Sequence, residues 1–139
     1  SDAKRTSTAF FNSTAPSASV LTLGTASHTN YNNNNYIAYL FASLDGISKV
    51  GSVTHSGTTN VDCGFSSGAR FVLLKRTDAT GDWYIWDSTR GIVSGNDPYL
   101  LLNTEAAEVT NTDYIDPLSS GFTITSSLTA GDYIFYAIA

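Results

Sequence analysis

Methionine is absent from this 139-residue chain, cysteine occurs once, at Cys63, and there are only three prolines. A lone cysteine excludes an intrachain disulfide, and with it the small scaffolds that depend on several. Charge is scarce as well. Asp, Glu, Lys and Arg make up 14% of the residues, against roughly 25% in ordinary globular domains. The seven Lys and Arg are scattered and outweighed by twelve Asp and Glu, for a net charge of −5. A nucleic-acid-binding face needs a basic stripe to displace counterions from phosphates, so that class of partner is excluded. The same balance disfavours an anionic bilayer. No apolar run approaches the roughly 20 residues of a spanning helix, so membrane insertion is not expected. Helix formers such as Lys, Arg, Gln and Met are few.

Ser, Thr, Asn and Gly fill the gap, beside 42% hydrophobic and 12% aromatic residues. That mixture supports a core and suits short strands joined by turns, since Thr fits a pleated surface while Gly and Asn fit turns. Strand signals recur about every ten residues, each closed by Gly, Asn, Asp or Pro. They lie at 20–23, 36–42, 48–53, 71–77, 83–87, 99–102, 121–125 and 133–139. TEAAEV at 104–109 is the one helical turn, and NYNNNNY at 30–36 reads as a loop. The spacing predicts an all-β chain, a β-sandwich or jelly-roll-like fold.

FVLLKRTDATGDWYIWD, residues 71–87, reads as a hairpin turning at DATG. Alternation puts Trp83 and Ile85 on one face, Tyr84 and Trp86 on the other, so the tryptophans cannot form one flat platform. Both faces are apolar at the open end and charged near the turn, the pattern of a strand buried between layers whose tip reaches solvent. Lys75, Arg76, Asp78 and Asp82 around the turn read as solvated ion pairs. Arg90 is placed to pair with Asp87.

An internal repeat carries further weight. YIAYLFA (36–42) matches YIFYAIA (133–139) without a gap; upstream, LTL (21–23) matches FTI (122–124), and FFN (10–12) matches YID (114–116). SDAKR (1–5) resembles TEAAE (104–108). Residues 1–43 therefore read as the closing part of a repeat unit and 44–139 as a complete one, with the chain starting in mid-repeat. The two parts are expected to pack as one β-rich body. Strands as apolar as 36–42 need cover, so Tyr36, Ile37, Tyr39 and Phe41, with Tyr133, Ile134 and Tyr136, are the candidate assembly strands.

Chemistry-bearing residues do not gather in this sequence. His28, His55 and Cys63 lack zinc-ligand spacing, and no calcium loop is present. Asp82, Asp87, Asp113, Asp116 and Asp132, the carboxylates a glycosidase could use, sit mostly at strand ends where Asp makes turns. No nucleophile elbow appears. No catalytic residue, metal ligand or cofactor is expected.

Taken together, KRTD (75–78), W-x-[IV]-x-D-x-x-R (83–90), Y-L-x-x-N-T-x-A (99–106) with Glu108, D-x-L-x-x-G-F (116–122) and Y-I-x-x-A-[FI]-A (133–139) resemble a domain found in tandem in structural proteins of tailed phages, notably marine and cyanobacterial ones. The glutamate falls one residue later than that family's spelling. The resemblance implies a non-enzymatic component of the virion surface, a tail fibre, head fibre or capsid decoration, that assembles with itself, as a trimer by analogy, and with other virion proteins; an alternative from the mid-repeat start is a head-to-tail filament in which residues 1–42 complete the sheet of the next subunit. An alternative is a lectin-like domain contacting host surface glycans through Tyr31, Asn33, Trp86 and Tyr99. A polysaccharide depolymerase is a third reading.

Overall fold

Alternation along FVLLKR and WYIWD places Val72, Leu74, Tyr84 and Trp86 on one side of the hairpin, and that is the side the fold buries. The architecture comes from a computed structural model describing residues 2–5 and 7–139. Its strands are β1 (Ser48–His55), β2 (Thr59–Asp62), β3 (Phe71–Arg76), β4 (Trp83–Asp87), β5 (Leu100–Leu101), β6 (Ile115–Leu118), β7 (Gly121–Ile124) and β8 (Gly131–Ile138). They form two antiparallel sheets, ordered β1-β8-β3-β4-β5 and β2-β7-β6. The chain is an all-β sandwich.

Two compact units are present: Phe41–Ala139 together with residues 2–4, and Arg5–Leu40. In the first, register puts Val72 opposite both Trp86 and Ala137, and Leu74 opposite both Tyr84 and Phe135. These side chains face Val61, Ile115, Phe122 and Ile124 of the small sheet, with Phe122 and Phe135 in edge contact at 5.6 Å. Fully burying an aliphatic or Phe side chain stabilises by about 1.5–3 kcal/mol. Tyr84, Trp86, Tyr99 and Tyr114 extend this core as one group of rings, Tyr84 stacked on Trp86 at 5.6 Å and Tyr99 on Tyr114 at 5.6 Å.

Close approach fixes two glycines in this unit. A Cβ on Gly121 would lie 2.1 Å from the Val61 carbonyl oxygen, so β7 meets β2 only with glycine there. A Cβ on Gly51 would lie 2.6 Å from the Phe135 ring, which fills that space instead. His55, buried in the core, has its Nε2 3.1 Å from the Leu128 carbonyl and its Nδ1 2.9 Å from Thr59 Oγ1. A carbonyl only accepts, so Nε2 donates to the Leu128 oxygen. Cys63 is buried and burial pushes its thiol up to about 11. Its reaction with a disulfide reagent is expected to be slow in the native protein and to reach the rate of a free thiol only in denaturant; equal rates in both would contradict this burial.

The second unit, Arg5–Leu40, holds two single-turn helices, α1 (Thr8–Phe11) and α2 (Ser27–Asn30). Ser7 Oγ accepts from the Ala9 amide at the start of α1, and Asn12 closes it in the left-handed region at φ 50°. Gly24 lies against α1: its amide donates to the Phe10 carbonyl, and a Cβ there would be 2.0 Å from the Ala9 oxygen.

Several sequence expectations need correction. No strand forms at 20–23 or 36–42, and 104–109 is irregular rather than helical. β1 runs on to His55, two residues past its expected end, and β5 keeps only the middle of 99–102. β2 and β6 were not foreseen. TNVD is short and rich in turn formers, and β6 contains Pro117, tolerated because β6 is an edge strand.

Candidate assembly surface

The run Tyr36–Ala42 is an exposed apolar stretch. Ile37 is 82% exposed, Tyr39 79% and Leu40 71%, with Tyr36 and Phe41 also exposed. Among the described residues, no hydrogen bond engages the backbone of residues 37–41. The ends of the run are tied down. The Tyr36 hydroxyl donates to the Ser27 carbonyl and accepts from the Tyr31 amide, each at 2.9 Å. The Phe41 ring packs on Tyr136 at 4.5 Å. After it, Leu44 bridges Ser48 across a turn at Asp45-Gly46.

The repeat explains why this run is not a strand. Its counterpart 133–139 lies largely in β8, which is flanked by β1 on one side and β3 on the other. The counterparts of 10–12 and 21–23 are in β6 and β7, which pair with each other, and β7 also pairs with β2. Among the described residues, no strand pairs with 36–42. The same pattern is therefore strand where its flanks exist and irregular where they do not. Tertiary pairing decides, as expected for β-propensity.

The remaining assembly candidates behave differently. Tyr133 is buried, its hydroxyl donating to the Thr129 carbonyl at 2.7 Å, and Tyr136 is half-buried between Phe41 and Phe71. Because β8 is paired on both sides, Tyr133, Ile134 and Tyr136 offer no free backbone edge, which corrects their reading as an assembly strand. Ile134 remains exposed on the outer face of the large sheet. There the register aligns Val50, Tyr136, Leu73, Ile85 and Leu100 in one row.

The glycan candidates divide. Trp86 is fully buried and Tyr99 is buried, both inside the aromatic group, so neither is a surface contact. Trp86 stacks on its same-face neighbour Tyr84, which removes it from any ligand platform. Tyr31 and Asn33 do lie at the surface, Asn33 in the left-handed region at φ 64°.

Some charged groups pair locally. Arg76 Nε meets Asp78 at 2.7 Å. Arg90 bonds Asp87 and also reaches Glu108 at 2.9 Å. Two charges are buried: Lys75, which the sequence places among solvated ion pairs at the turn, and Asp97, to which it gives no role. Lys75 donates to the carbonyls of Asp2 and Arg76, and burial lowers its pKa. Asp97 is fully buried, with Oδ1 accepting from the Val93 amide and Oδ2 without a partner. Burial raises its pKa to about 6, the Val93 and Ile115 amides lower it, and the charges of Asp113 and Asp116 raise it further. The only signal for Asp97 in the sequence was its place between Asn96 and Pro98, which reads as a turn. Among the described residues, no group of three or more His, Cys, Asp or Glu could hold a metal ion, and no helix is long and apolar enough to cross a membrane.

With this geometry in hand, residues 1–139 match the family described as a domain of unknown function (DUF7483). The chain belongs to that family. No curated protein and no solved structure matches it. One family model thus spans residues 1–43 as well as 44–139.

The exposed run can be tested directly. Ile37→Lys with Leu40→Lys is expected to leave the unfolding midpoint of the sandwich unchanged, within about 0.5 kcal/mol, while raising the concentration at which the protein aggregates. A clear loss of sandwich stability would show that the run supports the fold.

Proposed function

We propose that the chain is a non-enzymatic structural module of a virion surface, such as a tail fibre, head fibre or capsid decoration, which assembles through β-strand packing. The observation carrying this reading is the exposed apolar run Tyr36–Ala42, which has a strand pattern and, among the described residues, no strand partner. The phage resemblance of the 75–139 motifs supports the virion setting. The burial of both Trp86 and Tyr99 favours assembly over a sugar-binding platform. Its partners are further units of the same kind and other virion proteins. Peptides of this chain in purified, nuclease-treated phage particles, with antibody label on intact particles, are the expected result. Their absence from particles that infect normally would sink the reading.

A lectin-like role rests on the exposed Tyr31 and the neighbouring Asn33. Glycan-array binding that disappears in Tyr31→Ala would favour it. Release of reducing sugar from host polysaccharide would instead indicate a depolymerase.

A further inference from the structure

The pairing of β3 with β4 runs one residue past the ends of both strands, since the Ser88 amide donates to the Arg70 carbonyl at 2.8 Å. Alternation then puts Arg70 on the side of Val72 and Leu74, and Ser88 on the side of Trp86. That is the side facing the core, so a cation and a hydroxyl take inward positions where the two sheets open to solvent. Pro117 takes the matching position in the small sheet, two residues past the buried Ile115. Between them lies a cavity of about 400 Å3, lined by Arg70, Ser88, Ile92, Pro117, Leu118 and Ser119, with 67–69 completing its wall. Small-ligand sites span about 300–1,000 Å3. The wall is fixed: the Gly68, Ala69 and Arg70 amides donate to the carbonyls of Ser119, Gly121 and Ile138 at 2.7, 2.8 and 2.7 Å. Arg76 and Arg90 are held by carboxylates. Among the described residues, the exposed Arg70 guanidinium has no hydrogen bond or ion pair, and no acidic side chain lines the cavity. The side-chain hydroxyls of Ser67, Ser88 and Ser119 likewise have no partner among the described residues.

We propose that this mouth of the sandwich binds a carboxylate-bearing sugar, such as a uronic acid residue of a polysaccharide. The planar fork of Arg70 matches the two oxygens of a carboxylate. One free cation in a chain of net charge −5 suits a singly charged group better than a phosphate dianion. The Ser67, Ser88 and Ser119 hydroxyls meet ring hydroxyls, and Ile92, Pro117 and Leu118 offer an apolar surface to the C–H face of the ring. A peptide fits less well. Main-chain docking needs free backbone donors, and the amides of Phe65, Gly68, Ala69 and Arg70 are all committed within the chain. The site uses none of Tyr31, Asn33, Trp86 or Tyr99, and it adds a ligand to the assembly reading without resting on it.

The test titrates the full chain with trigalacturonate and with trimannuronate, following amide shifts by NMR. At least one should give saturable shifts centred on 67–70, 88–92 and 117–119, with a Kd of about 1 mM or tighter. Its methyl ester, the same sugar without the charge, should bind at least about tenfold more weakly, as should the acid to Arg70→Gln, because each change removes a charge-assisted hydrogen bond. Arg70 is exposed, so its replacement should leave the unfolding midpoint unchanged. Ser119→Asp, which sets a like charge at the rim, should weaken binding as well, and it carries the comparison if Arg70→Gln does not fold. No saturable shift with either acid, equal binding of the ester, or undiminished binding by the variants overturns the proposal. Tighter binding of inorganic sulfate or of a tetraglutamate peptide at the same amides also overturns it, since the site would then take a different class of anion. Failure here leaves the virion reading to its own particle test, and a negative particle test leaves this site standing.

Discussion

Trp86→Ala is expected to destabilise the sandwich by about 3–5 kcal/mol, the range for removing a large buried aromatic side chain. Trp86 is fully buried opposite Val72, stacked on Tyr84 and in ring contact with Tyr99, so its removal opens a void where both sheets meet the ring group. Trp86→Phe should cost less than half as much. It keeps a ring in place and removes the indole Nε1, a buried donor with no partner; leaving such a donor unpaired costs about 1–3 kcal/mol. Urea unfolding of the two variants beside Tyr31→Ala is the check, and the surface variant should stay within about 0.5 kcal/mol of the parent. If Trp86→Ala also behaved like a surface change, Trp86 would be free to meet a ligand and the glycan reading would return.

The second large effect is a pH dependence set by Asp97. Its pKa is raised from 3.8 to about 6 in the folded chain, chiefly by burial. Between those values the native state holds a proton that the unfolded chain releases. The contribution is therefore fully present below about pH 4 and is lost as the pH rises through about 6. A shift of this size corresponds to roughly 3 kcal/mol. Asp78 and Asp87 act with the opposite sign. Their pKa values are lowered, by the hydrogen bond from Arg76 and by the Arg90 amide respectively, so their share is present above the ordinary carboxylate range and fades on acidification. Asp97→Asn should be more stable than the parent at pH 7.5 by about 2 kcal/mol and should nearly abolish the fall in stability between pH 4 and 6. Denaturant midpoints at pH 4.5, 6 and 7.5 for both proteins measure this. A parent whose stability rises across that interval as steeply as the variant's would contradict the assignment.

The complete unit was largely legible in the sequence because its strands have their partners. FVLLKR, WYIWD and YIFYAIA carry apolar residues on both faces, as suits the interior strands they form. The same legibility misled at 36–42, where an equally good strand pattern lacks flanking strands, and at 20–23. Pattern reports what a segment would do in a sheet; pairing decides whether it enters one. Trp86 and Tyr99 were misplaced for a related reason. Aromatic residues near turns suit a sugar platform and a core equally well, and only the stacking of Tyr84, Trp86, Tyr99 and Tyr114 separates the two. Asp97 was passed over and Lys75 was read as a solvated ion-pair residue, because each looks like an ordinary polar residue next to a turn. Their burial comes from long-range packing: Thr112 beside Asp97, and residue 2 beside Lys75.

The way the sheet is tethered also gives the unit a mechanical polarity. Tension applied at Ala139 along β8 pulls a strand held by eight residue pairs to β1 and six to β3. Bonds between strands run across the strand axis, so those two ladders resist together in shear. Tension at residue 2 reaches the sheet through the Lys4–Thr77 and Asp2–Lys75 bonds, which release singly. A thread pulled from both ends would therefore give way first on its leading side, with the sandwich still intact behind.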